Sequence, residues 1–166
     1  MAAHVGRRVE RLKALASLDD LAALPLFARV PRPVVLPATV FEVRFADAER
    51  GFLVPKEKAV AAEAARLALE SGASVVAVWV ERNFHAGDWD HLETVRAVLP
   101  DTPLIARDVV VDPWQLARAR AAGADGIELL PELLGPLLPA FTASARGLGL
   151  TPVVWTDGVP VPLPGA

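Results

Sequence analysis

An α/β fold with a mainly parallel sheet is what the sequence predicts, on three observations. Five β-rich runs stand at 39–45, 74–80, 103–107, 125–130 and 150–156. A helical segment separates each run from the next, and strict alternation of this kind forces parallel strands joined by right-handed crossovers. The 166 residues make one domain. That is short of the roughly 250 residues of an eight-stranded barrel and sufficient for an open sheet.

Each element has a local cause. From Arg7 to Leu24, Val9, Leu12, Leu15, Leu18, Leu21 and Leu24 recur at helical spacing, which predicts one amphipathic helix. The prolines of "PLFARVPRPVVLP" then enforce an extended connector. "TVFEVRF" is the first strand, and the segment 54–72 is a helix begun at Pro55 and closed by Ser71 and Gly72. "SVVAVWV" is the second strand, followed by a helix over 87–99 with Asp88 as N-cap. "PLIAR" is the third strand. The helix after it is the best marked, with Asp112 as cap, Pro113 in the first turn, Gln115 completing a capping box and Gly123 ending it. "DGIELL" is the fourth strand. The next helix is interrupted by Pro136 and Pro139, and "LTPVVWT" is the fifth strand. Residues 1–38 are thus read as helix and connector, 39–157 as the (βα) repeat domain, and 158–166 as an extended tail able to shield a sheet edge, where proline is tolerated.

Composition narrows the function. A net charge of −3 gives no broad basic surface, which argues against nucleic acid and anionic membranes. With no cysteine there is no thiolate nucleophile, thiolate metal site or disulfide. The N-terminus is too charged for a signal peptide, and no apolar run approaches the roughly 20 residues of a membrane span, so a cytoplasmic location is expected. The lysines are Lys13, Lys56 and Lys58, and every other basic residue is arginine.

"FEVRFADAERG", "VAVWVERNFHAGDWDHLETVRAVLPDTPLIARDVVVDPWQLARARAAGADGIELL" and "LGLTPVVWTD" together resemble the indole-3-glycerol-phosphate synthase family. In that family the first strand ends Glu-Val-Lys. The third reads Leu-Arg-Lys-Asp-Phe-Ile-Ile-Asp-Pro-Tyr-Gln and leads to an Ala-Gly-Ala-Asp joint. The resemblance runs from about Arg7 to Asp157. It implies a partial TIM-type (β/α) barrel of about five parallel strands with a leading N-terminal helix. It also implies ancestry in tryptophan biosynthesis, in a cofactor-free lyase that closes the indole ring of a carboxyphenylamino-deoxyribulose phosphate with loss of carbon dioxide and water. On this alignment Glu42 stands at the family's first-strand glutamate and Arg44 at a substrate-holding lysine. Arg107 stands at the third-strand lysine that serves as general acid, Trp155 at a fifth-strand catalytic glutamate, and Ala77 at a second-strand serine. Strands six to eight, with their phosphate-binding loops, have no counterpart in the sequence.

These replacements matter chemically. A general acid needs a pKa near the working pH, to which a buried lysine can be tuned. An arginine, above about 12, cannot. The expected site residues are Glu42 and Arg107 as the catalytic positions, with Arg44, Asp108, Trp79 and Trp155 as substrate-binding positions. Strand alternation puts Glu42 and Arg44 on one face, and the resemblance implies that Ala77, Trp79, Ile105, Arg107, Val153 and Trp155 share it. They suit an anion pocket for a small phosphorylated or carboxylated metabolite. They suit better a Glu–Arg network that fills a former site, with the tryptophans as plugs, because buried charges need partners whether or not a ligand exists. Asp108 is read as a loop acid, solvated or capping, if it binds nothing. His85, Asp88, Asp90 and His91 are read as a helix start, and no metal is expected. A barrel open after its fifth strand leaves two edges, so a homo-oligomer or a partner subunit is expected.

Overall fold

The computed structural model describes residues 1–165. The helix expected over 7–24 is two. α1 (Ala2–Leu15) ends at an extended Ala16, and Ser17 caps α2 (Leu18–Ala22) in a capping box with Asp20. The leucine spacing runs through this break and hides it, although Ser followed three residues later by an acid is the signature of a helix start. A 3-10 turn at Pro25–Ala28 and an extended connector lead to β1 (Val40–Val43). The expected strand 39–45 is therefore cut short. Past it the chain turns into a small antiparallel hairpin, β2 (Ala46–Asp47) and β3 (Gly51–Phe52), in a segment to which the sequence assigns no element. α3 (Lys58–Glu70) starts three residues after Pro55 rather than at it, with Glu57 at its N-cap position.

The remaining elements lie within a few residues of the expected positions. They are β4 (Val75–Trp79), α4 (Trp89–Val98), β5 (Leu104–Arg107), α5 (Pro113–Ala121), β6 (Gly126–Glu128), α6 (Pro131–Leu134), α7 (Leu138–Gly147) and β7 (Thr151–Thr156). Asp88 caps α4, and Asp112 with Gln115 forms the expected capping box on α5. The tail contributes β8 (Val159–Pro162), paired antiparallel to β7. The sheet runs β1-β4-β5-β6-β7-β8, with the first five strands parallel. It is an open, half-barrel sheet, not a closed one.

Alternation along the strands separates two packed faces. Val43, Val76, Val78, Leu104, Ala106 and Ile127 meet the helices in the main core. On the inner face Val75, Ala77, Ile105 and Val153 pack under Val34, Leu36 and Ala38, so the extended connector covers what a barrel would enclose. α1 and α2 pack on α5 through Val5, Val9, Leu21, Trp114 and Ala121. The connector is tied down by Asp125, which is fully buried. Its carboxylate accepts from Arg29 Nη2 at 2.5 Å, from the Arg32 backbone N–H at 2.7 Å, from Leu104 N–H at 2.8 Å and from the Arg96 guanidinium. Asp125 is the last residue of the Ala-Gly-Ala-Asp joint, so that motif acts here as an anchor at the N-terminal ends of the strands.

Candidate functional site

Strand register builds the site at the C-terminal ends of the inner face. Glu42 pairs across with Ala77 and Ala77 with Ile105, while Trp79 pairs with Arg107 two residues further on. Glu128 stands two residues beyond Gly126, which lies opposite Ile105. The sequence left the facing of Glu128 open. The register turns it inward beside Arg107, and its side chain is 3% exposed.

Arg107 is the centre of this group. Its Nε donates to Glu128 Oε2 at 2.8 Å and its Nη2 to Glu128 Oε1 at 3.0 Å, a two-pronged ion pair, while Nη1 donates to Glu42 Oε1. The guanidinium lies between two indoles, 4.0 Å from the Trp79 ring centre and 3.7 Å from that of Trp155. Both indoles therefore make cation–π contacts with it. Trp79 Nε1 in turn donates to Glu42 Oε1 at 2.6 Å. His85 stacks on Trp79, 3.6 Å between ring centres and 9° between planes. Its Nδ1 lies 3.1 Å from Glu81 Oε2.

Glu81 organises the loop that carries His85. Burial pushes its carboxyl up, but the bond with His85 and the backbone N–H groups of Phe84 and Asn83 outweigh burial and hold it below the usual carboxylate range. The loop returns so tightly on β4 that a Cβ at Gly87 would lie 2.2 Å from the Trp79 carbonyl oxygen. Glu81 and His85 were not expected at the site. Glu81 follows the second strand directly, and a carboxylate there followed by "RNFH" is the signal of a loop folded around it.

Two expected residues are placed elsewhere. Arg44 lies beyond the end of β1 and lines a groove of about 440 Å³ beside α3 with Phe41, Phe45, Val60 and Leu67. Among the described residues it has no hydrogen bond or ion pair, and it does not join Arg107 in an anion clamp. Asp108 is no solvated loop acid, because it is 3% exposed. It accepts from its neighbour's backbone N–H, that of Val109, at 2.9 Å and from Gln115 Nε2 at 2.8 Å. Burial pushes its carboxyl up to about 6. Asp88 is a cap, Asp90 pairs with Lys58, and His91 bonds the Lys56 carbonyl. Among the described residues no three metal-ligating side chains converge, and no helix is long and apolar enough to cross a membrane.

The arrangement holds the Arg107 guanidinium between Glu128 and Glu42, with Trp155 at the strand end beside it. Comparison with known proteins gives the context. The family profile described as Indole-3-glycerol phosphate synthase matches residues 7–158. An indole-3-glycerol phosphate synthase of Burkholderia vietnamiensis is 35% identical over 147 residues, which cover 88% of this chain and 55% of that protein. One from Crocosphaera subtropica is 30% identical over 160 residues, covering 91% and 53%. The chain spans about half the length of these curated relatives. Among solved structures, a mandelate oxidase variant aligns with a TM-score of 0.50 at 19% identity, over 69% of this chain and 42% of that one. That likeness is one of fold. The chain belongs to the indole-3-glycerol phosphate synthase family.

Proposed function

We propose that this chain is a catalytically degenerate member of its family, with tryptophan-biosynthesis ancestry, in which the strand-end cluster has a structural role. The observation that carries the reading is the setting of Arg107. Three of its N–H groups meet Glu128 and Glu42, and its guanidinium lies against two indole rings. A group held this way is not free to turn towards a ligand. Trp155, at the position of a catalytic glutamate, fills space and moves no proton. Glu42, the remaining candidate base, is engaged by Arg107 and Trp79. The test is turnover. The folded chain, incubated with the carboxyphenylamino-deoxyribulose phosphate, gives no rise in indole fluorescence beyond a Glu42→Gln control. Turnover that the control abolishes overturns the proposal.

A second reading, assembly, is favoured by apolar grooves at both ends of the sheet. One is the groove beside β1 and α3. The other, of about 570 Å³, lies between α7 and the tail and is lined by Leu138, Pro139, Ala143 and Leu163. On this reading the chain self-associates or pairs with another subunit through these faces.

A further inference from the structure

We infer that β1 is a docking edge for a second copy of this chain, which pairs with it antiparallel across a two-fold axis at Val43. The inference rests on the assembly reading and gives it a partner and a register. β1 ends the sheet, with β4 as its neighbour. Val75 N–H donates to the Thr39 carbonyl at 3.2 Å, so Thr39, Phe41 and Val43 turn their backbone groups to β4. Strand alternation then turns those of Val40, Glu42 and Arg44 outward. An open edge of this kind is a template for another strand.

The other edge of the sheet does not offer the same template. Leu163 N–H donates to the Pro152 carbonyl at 3.0 Å, and Val159 and Val161 stand opposite Thr156 and Val154. Val159 and Val161 therefore bond β7, and the outward positions fall on Pro160 and Pro162, which have no N–H. A head-to-tail contact of β1 on β8 would lack those donors. The arrangement left is isologous, β1 on β1.

The charges on β1 select the register. In an antiparallel pair, outward residues stand opposite one another with Cα atoms about 5.5 Å apart and exchange both hydrogen bonds. An axis at Glu42 or at Arg44 would set like charges face to face, which is destabilising. An axis at Val43 sets Glu42 opposite the partner's Arg44, and Arg44 opposite the partner's Glu42. Both side chains are available for this. Arg44 has no hydrogen bond or ion pair among the described residues, and Glu42 uses only Oε1 for Trp79 and Arg107.

α3 adds apolar surface to the same edge. Its Ala61, Ala65 and Ala68 are fully buried against the core. The adjacent stripe of Val60, Ala64 and Leu67 instead lines the groove that runs along β1 from Phe41 to Phe45. Leu67 is 49% exposed, a large apolar side chain beside an open strand. Joining two edges about the Val43 axis brings two copies of this stripe onto one interface, where burial of apolar surface favours association.

The experiment is sedimentation velocity over a concentration series, with amide hydrogen exchange on the same samples. The expected result is a dimer in which the Glu42 and Arg44 amides gain protection as concentration rises, while those of Val159 and Val161 do not change. Arg44→Glu sets like charges opposite one another and weakens dimerisation at least tenfold. Leu67→Glu, a second variant at an exposed helix position, weakens it as well. Ala143→Glu, in the groove at the far end of the sheet, leaves it unchanged. Circular dichroism checks that each variant keeps the fold. A monomer at every concentration overturns this inference and the assembly reading together. A dimer that Arg44→Glu leaves intact, that Ala143→Glu dissociates, or that leaves the Glu42 and Arg44 amides unprotected overturns the β1 inference alone.

Discussion

Asp108 shows how a carboxyl group beside a candidate site comes to belong to the core. It follows the strand-end Arg107 directly, and alternation turns it to the other side, where it is 3% exposed against Gln115 and Val109. Burial disfavours its charged form and moves its carboxyl from the ordinary 3.8 to about 6. The folded chain therefore holds this proton more tightly than the unfolded chain does. Its stabilising effect is fully present in acid and is lost as pH rises through the window from 3.8 to about 6. A shift of this size corresponds to on the order of 3 kcal/mol. Urea unfolding from pH 4 to pH 7, compared between wild type and Asp108→Asn, is expected to show the wild type losing stability relative to the variant as pH rises. A constant difference contradicts the assignment. At Arg107 and Trp155 residue type alone sets the expectation, since guanidinium and indole differ chemically from ammonium and carboxylate. It does not set the role of Asp108, because one residue of register separates a ligand-facing acid from a buried one.

At the scale of elements, the chain was most legible where caps and strand runs agree. Asp112-Pro113 with Gln115, and Asp88 ahead of α4, are helix starts in both sequence and structure. Legibility failed where one periodicity ran across a boundary. The leucines of α1 and α2 share a helical spacing although Ser17 divides them, and β1 stops at Val43 although β-favouring residues continue to Phe45. No local pattern could announce that the connector would lie across the inner face, because that placement depends on a residue 96 positions away from Arg29, the Asp125 anchor. Asp125 joins the connector, α4 and β5, so its loss should loosen three elements together. Asp125→Ala leaves the Arg96 guanidinium, 4% exposed, without its carboxylate partner, and is expected to cost about 3–5 kcal/mol. The N-cap change Asp112→Ala should cost about 1 kcal/mol. Equal effects of the two in denaturant titrations would contradict the anchoring role.

For the molecule as a whole, the inner face is covered at one end and filled at the other, where Glu42 still reaches solvent. The connector covers its lower part, and the Glu42, Trp79, Arg107, Glu128 and Trp155 cluster fills the strand ends above. What stays open is the periphery. β1 has one unpaired edge, and at the other end of the sheet Pro160 and Pro162 remove N–H groups from β8. Sedimentation velocity across a concentration series is expected to show self-association, and a monomer at every concentration would contradict the assembly reading. The central claim is that Arg107 holds the interior together and is not poised for a substrate. The most direct measurement is the unfolding free energy of Arg107→Met beside that of Arg107→Met with Glu128→Gln. A structural Arg107 predicts a loss of about 3–5 kcal/mol in the single variant, which strands Glu128 as a buried unpaired charge, and a substantial recovery in the double variant. A single variant within about 0.5 kcal/mol of wild type would contradict the account and return Arg107 to the role of a free, ligand-facing cation.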